Sequence, residues 1–267
     1  MNRLGIELLS VFGMNPVEHV ELAADLGCAY ISSGLTQLPF NPHGYTSWSL
    51  RDDAALRRRL KEVLRERGVA ISLGEGFTIR PEADMAARAA DMDIMAGLGV
   101  LCAGASALEP DTGRVRDQCA ILAELAAARG MKASLELVPG SAVDSLAAAL
   151  NVVRHVNRPN FGLLLDSMHF FRSGGTVEAL RALPPGVICY AQLCDVPMPA
   201  EEPDYMREAM FNRRPPGQGV LPLAAFVAAL PADVPIGLEI PMLAQAQAGI
   251  DPRTRLAPAV AVAKALF

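Results

Sequence analysis

Four strand-like segments in the C-terminal half of the chain end in an oxygen-bearing side chain: Glu136 in SLELVPG, Asp166 in GLLLDSMH, Gln192 in YAQLCD and Glu239 in GLEIP. If these strands run parallel and side by side, the four side chains leave one end of the sheet and converge. Three carboxylates and a carboxamide at one point push proton affinities up unless a cation sits among them. The strands are otherwise apolar, so unpaired charge there would cost several kcal/mol. An all-oxygen donor set points to one divalent ion, Mg²⁺ or Mn²⁺, rather than a structural Zn²⁺, which takes Cys or His.

Other polar residues cluster around the same segments. His169 follows Asp166 by three positions in DSMH, at a strand-to-helix turn from which an imidazole can look into the site as general acid, base or substrate hydrogen-bonder. Arg172 in HFFRSGG and the pair Arg213 and Arg214 in NRRPPGQG offer forked donors for a substrate carboxylate, phosphate or hydroxyl. Glu75, after SLG, either enters the pocket or pairs with an arginine. Gln218 reads as a turn residue and Met168, Met198, Met206 and Met210 as soft packing. His19 and His155 fall in helical stretches and read as packing or surface residues, while the loop carrying His43 either folds over the site or is solvated.

The elements that must position these groups are legible as eight alternations of a short apolar run with a longer Ala/Leu/Arg stretch of helical period. The predicted strands are Leu4 to Leu8, Ala29 to Ser32, Ala70 to Leu73, Val100 to Ala103, Ala133 to Leu137, Gly162 to Leu165, Ile188 to Leu193 and Ile236 to Ile240. Asn15-Pro16, Arg80-Pro81, Glu109-Pro110 and Asp251-Pro252 mark helix starts, Ser141 is the expected cap of the run AVDSLAAALNVV, and Gly27, Gly68 and Gly130 mark helix ends. Eight βα units over residues 1–267 predict an α/β fold, a (β/α)8 barrel in one domain with its site at the C-terminal strand ends. No GxGxxG or GxxxxGK[ST] follows the first strand, which weighs against a doubly wound nucleotide fold. Two long connections, Ser33 to Leu50 and Asp195 to Leu221, lie on the predicted active rim and are expected to cover or line the site.

Composition narrows the chemistry. A formal charge of -5 argues against a nucleic-acid surface. The only lysines are Lys61, Lys132 and Lys264; Lys132 falls at the start of its strand, on the wrong rim for an imine-forming residue. The five cysteines are scattered without a CxxC, as expected of reduced thiols. The N-terminus reads as a first strand rather than a signal peptide, and no segment has the roughly 18 unbroken apolar residues of a membrane span. A cytoplasmic protein acting on a small molecule is expected, with no nucleic-acid or membrane partner and with a homo-oligomer allowed.

LLLDSMH, then YAQLCD followed by RRPPGQG, then GLEIP resemble the xylose isomerase-like TIM barrel superfamily of sugar isomerases, ketose 3-epimerases, inosose isomerases and dehydratases, 3-dehydroshikimate dehydratases and endonuclease IV. The resemblance implies that Glu136, Asp166, Gln192 and Glu239 hold one divalent metal and that His169 touches substrate. Gln192 stands where the epimerases generally carry histidine, and with PGQG it looks more like the dehydroshikimate dehydratase branch. Strand two ending in ISSG and strand four in CAGAS lack that branch's substrate-binding residues. Endonuclease IV holds three zinc ions largely through histidines, which four histidines and an acidic surface cannot match.

The chemistry implied is removal of a proton beside a carbonyl. In an isomerase or epimerase, Glu136 or Glu239 takes the proton and a second group returns it, with a sugar- or cyclitol-type hydroxyketone as substrate. In a dehydratase the same enolate expels a β-hydroxyl with His169 as acid or base. A barrel that binds a ligand without catalysis is the third expectation.

Overall fold

The computed structural model describes residues 2–267. Its eight strands are β1 Leu4–Ile6, β2 Tyr30–Ser33, β3 Ala70–Gly74, β4 Cys102–Ala105, β5 Lys132–Glu136, β6 Phe161–Asp166, β7 Ile188–Leu193 and β8 Ile236–Leu238. All pair in parallel in chain order, and β1 pairs with β8 to close the barrel. The strands are nearly continuous apolar runs because a parallel sheet covered by helices is buried on both faces. Closure puts every strand's C-terminal end on one rim, so the residues at the ends of β5 to β8 meet there.

Between the strands lie α1 Pro16–Asp25, α2 Ala54–Arg67, α3 Ala89–Gly97, α4 Thr112–Ala127, α5 Leu146–Val156, the short α6 Ser167–Arg172 and α7 Val177–Arg181, α8 Tyr205–Phe211, α9 Leu223–Ala229, α10 Leu243–Gln247 and α11 Pro252–Lys264. Asn15 and Asp251 cap α1 and α11 just before their first-turn prolines, as expected. Three helix starts differ from expectation: Pro110 precedes the α4 cap, Asp111, instead of entering the first turn. Ser141 instead accepts from Val143 N in a turn, and Ser145, inside the apparent helical run, caps α5 through Ala148 N. Pro81 opens a turn, and the helical path begins only at the 3₁₀ segment Met85–Arg88, capped by Asp84.

The long connections behave as their positions suggest. Phe40, in the loop after β2, meets Phe211 of α8 edge-on with ring centroids 4.5 Å apart, joining the two loops. Trp48 is buried, with its indole N–H donated to the Gly13 carbonyl at 3.1 Å. The loop after β7 is held by Asp195: Oδ1 accepts from Val196 N and Leu221 N, Oδ2 accepts from Gly217 N, and its backbone pairs both ways with Arg214. Gly219 makes this possible, since a Cβ there would lie 2.3 Å from Asp195 Oδ1.

Candidate active site

The rim of β5 to β8 gathers the expected residues. Asp166 is the last residue of β6 and Gln192 lies opposite it in register on β7; Gln192 in turn faces Gly237 of β8, and Glu239 follows one residue beyond β8. Asp166 divides its oxygens: Oδ1 caps α6 by accepting from His169 N at 2.9 Å, which leaves Oδ2 for the site. Ser167 ties the ends of β6 and β7 together, its hydroxyl donating to the Cys194 carbonyl and accepting from Cys194 N.

Arg213 is the cation among them. Its Nη1 lies 2.8 Å from Asp166 Oδ2 and 2.7 Å from Glu239 Oε2, and its Nε donates to the Ala209 carbonyl of α8 at 2.7 Å. Burial alone would lower its proton affinity, but Asp166 and Glu239 together raise it well above the usual arginine value. Arg213 Nη2 approaches His169 Nε2 at 3.5 Å, and a guanidinium can only donate, so Nε2 is the acceptor nitrogen. The Nδ1–H of His169 therefore donates to the Tyr205 hydroxyl. Burial lowers the His169 pKa to about 4, which keeps the ring neutral near pH 7. Glu136 Oε1 lies 3.6 Å from His169 Nε2.

A cavity of about 200 Å³ is lined by Glu75, Glu136, His169, Arg213 and Glu239, with a lid side that includes Leu38, Met206 and Met210. A smaller space of about 100 Å³ shares Glu75, Glu136 and Glu239 and adds Gln192, Thr78 and Ser106. Of the three expected substrate-binding arginines the structure brings Arg213 to the cavity, whereas Arg172 and Arg214 line neither space. Arg172 bonds the Pro197 carbonyl at 2.7 Å and the buried Glu208 at 3.0 Å, fastening α8 to α6. Arg214 reaches Glu201 and the Gln218 carbonyl at the surface. His43 sits beside Arg255 and Tyr45 instead of the cavity, and Glu75 enters the cavity with its carboxylate accepting from Ser32 Oγ.

The structure adds Glu7, which is fully buried behind Gln192. Among the described residues Arg213 is the one cation set against the acids Glu7, Glu75, Glu136, Asp166 and Glu239. The imbalance shows in proton affinity. Burial, then Glu239 and Asp166, raise the Glu136 pKa well above the usual carboxylate range; burial raises Glu239 to about 7 against the opposing pull of Arg213.

As they stand, no three His, Cys, Asp or Glu side chains among the described residues are gathered as a metal cage, since Arg213 is wedged between Asp166 and Glu239. The donor chemistry nevertheless suits a hard divalent ion. Positive charge is in deficit, and Gln192 Oε1 is a buried carbonyl oxygen with no hydrogen-bond donor.

A closed parallel barrel with a carboxylate-rich pocket at its C-terminal rim is the architecture of a large class of proteins that work on small molecules. The chain belongs to the xylose isomerase-like TIM barrel family, whose model matches residues 20–257. It is 29% identical over 201 residues to a 3-dehydroshikimate dehydratase of Pseudomonas putida, an alignment covering 68% of this chain and 31% of that protein. It is 40% identical over 62 residues to an inosose isomerase of Bacillus subtilis, covering 22% of each. The chain thus spans less than a third of the length of these curated relatives. Among solved structures, that of the IOLI protein with a bound zinc atom superposes with a TM-score of 0.76 at 22% identity, covering 99% of this chain and 96% of that one. At that identity the likeness shows the fold.

Proposed function

We propose that the chain is a divalent-metal-dependent isomerase or epimerase that enolises a small, uncharged, polyhydroxylated carbonyl compound of the sugar or cyclitol type. The observation that carries this reading is the charge of the cavity wall. Arg213 is the one cationic side chain lining either space among the described residues; its Nη1 and Nε are already engaged by Asp166, Glu239 and Ala209, and its Nη2 is turned to His169 Nε2 at 3.5 Å. A substrate carboxylate or phosphate would meet Glu75, Glu136 and Glu239 with no positive side chain beyond the already paired Arg213. Hydroxyls, which donate to carboxylates, suit the same wall.

Glu136, Asp166, Gln192 and Glu239 are the residues that would hold Mg²⁺ or Mn²⁺, and the ion when bound would polarise the substrate carbonyl. Glu136 and Glu239 both reach the cavity, so one can take the proton from the carbon beside the carbonyl and the other return it. Delivery to the opposite face of the same carbon inverts it; delivery to the former carbonyl carbon, with the hydroxyl proton lost to a base, isomerises. His169 Nε2 accepts a substrate hydroxyl in exchange for its long 3.5 Å contact with Arg213 Nη2. Leu38 and the α8 residues Met206 and Met210 restrict water over the reacting carbon. The five cysteines are unpaired and buried, in keeping with a reducing, cytoplasmic setting, and among the described residues no helix is long and apolar enough to cross a membrane.

Dehydration is the second reading, favoured by the Pseudomonas putida relative and by Gln192. In it His169 serves as acid or base: its N–H is turned to Tyr205, away from a leaving hydroxyl, while Nε2 keeps the lone pair a base needs. Proton NMR in D₂O, with Mg²⁺-loaded protein, chelated controls and a panel of ketoses, inososes and 3-dehydroshikimate, separates the two. Chelator-sensitive deuterium uptake on an uncharged ketose or inosose is expected, falling by at least about a hundredfold in Glu239→Gln. Turnover of 3-dehydroshikimate alone, with water loss, would move the chain to the lyases; full activity in Glu239→Gln would refute the assignment of the site.

A further inference from the structure

Glu7 directly follows β1 and is fully buried, yet it lines neither space and has no part in the proton transfers above. Its two oxygens bond to separate residues of β7. Oε1 accepts from the Tyr190 hydroxyl at 2.6 Å, and Oε2 accepts from Gln192 Nε2 at 3.3 Å. Because β8 lies between β1 and β7, the side chain must pass over it. It does so at Gly237, which pairs with Gly5 on one side and Gln192 on the other, and where a Cβ would fall 1.5 Å from Glu7 Oε1. A mid-strand glycine gives up packing and stiffness; here it provides the opening for the Glu7 carboxylate.

The consequence falls on Gln192. Both hydrogens of its NH₂ group are directed to carboxylates, Glu7 Oε2 at 3.3 Å and Glu239 Oε1 at 3.2 Å. With both acids ionised, as a bound cation would keep them, turning the amide over would press its carbonyl oxygen against two carboxylates, so the nitrogen belongs on that side and Oε1 is the group left without a donor. Tyr190 steadies the arrangement, since its hydroxyl also meets Ser72 Oγ at 3.0 Å and is held between β3 and Glu7.

We propose that Glu7 is a positioning residue that holds the Gln192 carboxamide in the one orientation in which its oxygen serves as a ligand for a divalent cation. The inference rests on the metal-site reading of Glu136, Asp166, Gln192 and Glu239 given above. Partners that orient a ligand commonly control metal affinity by 10- to 100-fold, about the range this arrangement should command.

The test is Mn²⁺ titration of the metal-free protein by calorimetry, with the electron paramagnetic resonance spectrum of the bound ion and the chelated thermal midpoint recorded for each variant. Glu7→Leu, which keeps bulk and removes both acceptors, should weaken Mn²⁺ binding by about 10- to 100-fold. Gln192→Ala should weaken it comparably, and the double variant should be no weaker than the worse single one, because Glu7 acts through Gln192. The exchanged pair Glu7→Gln with Gln192→Glu should return to within about threefold of the parent, since a carboxylate at position 192 presents an oxygen in either rotation. Parent affinity in Glu7→Leu, losses that add in the double variant, or an exchanged pair that stays weak would each overturn the proposal. Should Glu7→Leu fail to fold, Tyr190→Phe removes the bond at Oε1 together with the contact to Ser72, Ser72→Ala removes the latter alone, and Mn²⁺ affinity equal in the two variants is the overturning result. A parent protein that takes up no Mn²⁺ would overturn the metal reading itself, whereas a binding parent with an indifferent Glu7→Leu overturns only the role of Glu7.

Discussion

Replacing Arg213 by methionine keeps much of its aliphatic bulk and deletes the charge that two buried carboxylates share. Asp166 is fully buried and Glu239 is 6% exposed, and Arg213 Nη1 stands within 2.8 Å of an oxygen of each. Removing one partner of a buried pair typically costs about 3–5 kcal/mol, because the other charge is left without compensation. Here one removal strands two acids and also frees the Ala209 carbonyl, so the upper part of that range is expected. At roughly 2–4 °C per kcal/mol for a chain of this size, the midpoint of the chelated protein should fall by about 10 °C or more. Differential scanning calorimetry at pH 7 with excess chelator is the assay, and Arg213→Lys should recover part of the loss by restoring the charge without the fork. Saturating Mg²⁺ should then raise the midpoint of Arg213→Met by more than that of the parent, because the added ion meets carboxylates with no resident cation. A fall of under about 3 °C in the chelated Arg213→Met protein would refute the reasoning, since it would mean that Asp166 and Glu239 are neutral or solvated without their arginine.

His19, 1% exposed within α1, has its pKa lowered by burial from 6.5 to about 3. The unfolded chain binds a proton that the folded chain refuses, so this contribution is complete above about pH 6.5 and is lost as pH falls toward 3, by about 1.4 kcal/mol per unit. The buried carboxylates with raised affinities titrate in the opposite sense, so the measurement is the difference from His19→Gln in urea unfolding. Between pH 6.5 and 5 the parent should lose about 2 kcal/mol more than the variant, and equal slopes would show that folded His19 takes up its proton normally. Arg172→Met should cost about 3 kcal/mol by leaving Glu208 buried and unpaired, with Mn²⁺ affinity unchanged. A rise in substrate KM with no loss of stability would return Arg172 to the substrate-binding set.

The barrel was legible because apolar period and turn residues recur eight times, and each observed strand falls within about two residues of its predicted span. Strand-end acids stood out for a related reason: in runs as apolar as GLLLD and IGLEI a carboxylate is conspicuous. The arginines were not separable in the same way. Arg172, Arg213 and Arg214 all lie on loops or short helices of the active rim, and which one turns inward depends on long-range contacts. Arg213 N bonds the Pro241 carbonyl beyond β8, while the paired backbone of Arg214 and Asp195 fixes the neighbouring residue. Residue type and spacing carry no trace of such contacts.

Glu7 escaped notice for a different physical reason. In LGIELLS the acid falls inside the expected strand Leu4 to Leu8, and nothing local says what it faces. The distinguishing signal lies 230 positions away in the glycine of IGLEI, a residue that a buried strand does not favour unless something must pass close to it. Once the barrel is closed in chain order, β8 is the only strand between β1 and β7, and Gly237 is the position at which an acid from β1 can reach β7. Tyr190 and Gln192 sit two apart on that strand, as they must if both are to turn toward the same carboxylate. A glycine, an acid and an i, i+2 pair of donors on three consecutive strands are weak signals taken one at a time. They become one constraint only through the closure that makes the first strand a neighbour of the last, which is why order around the barrel had to precede any reading of Glu7.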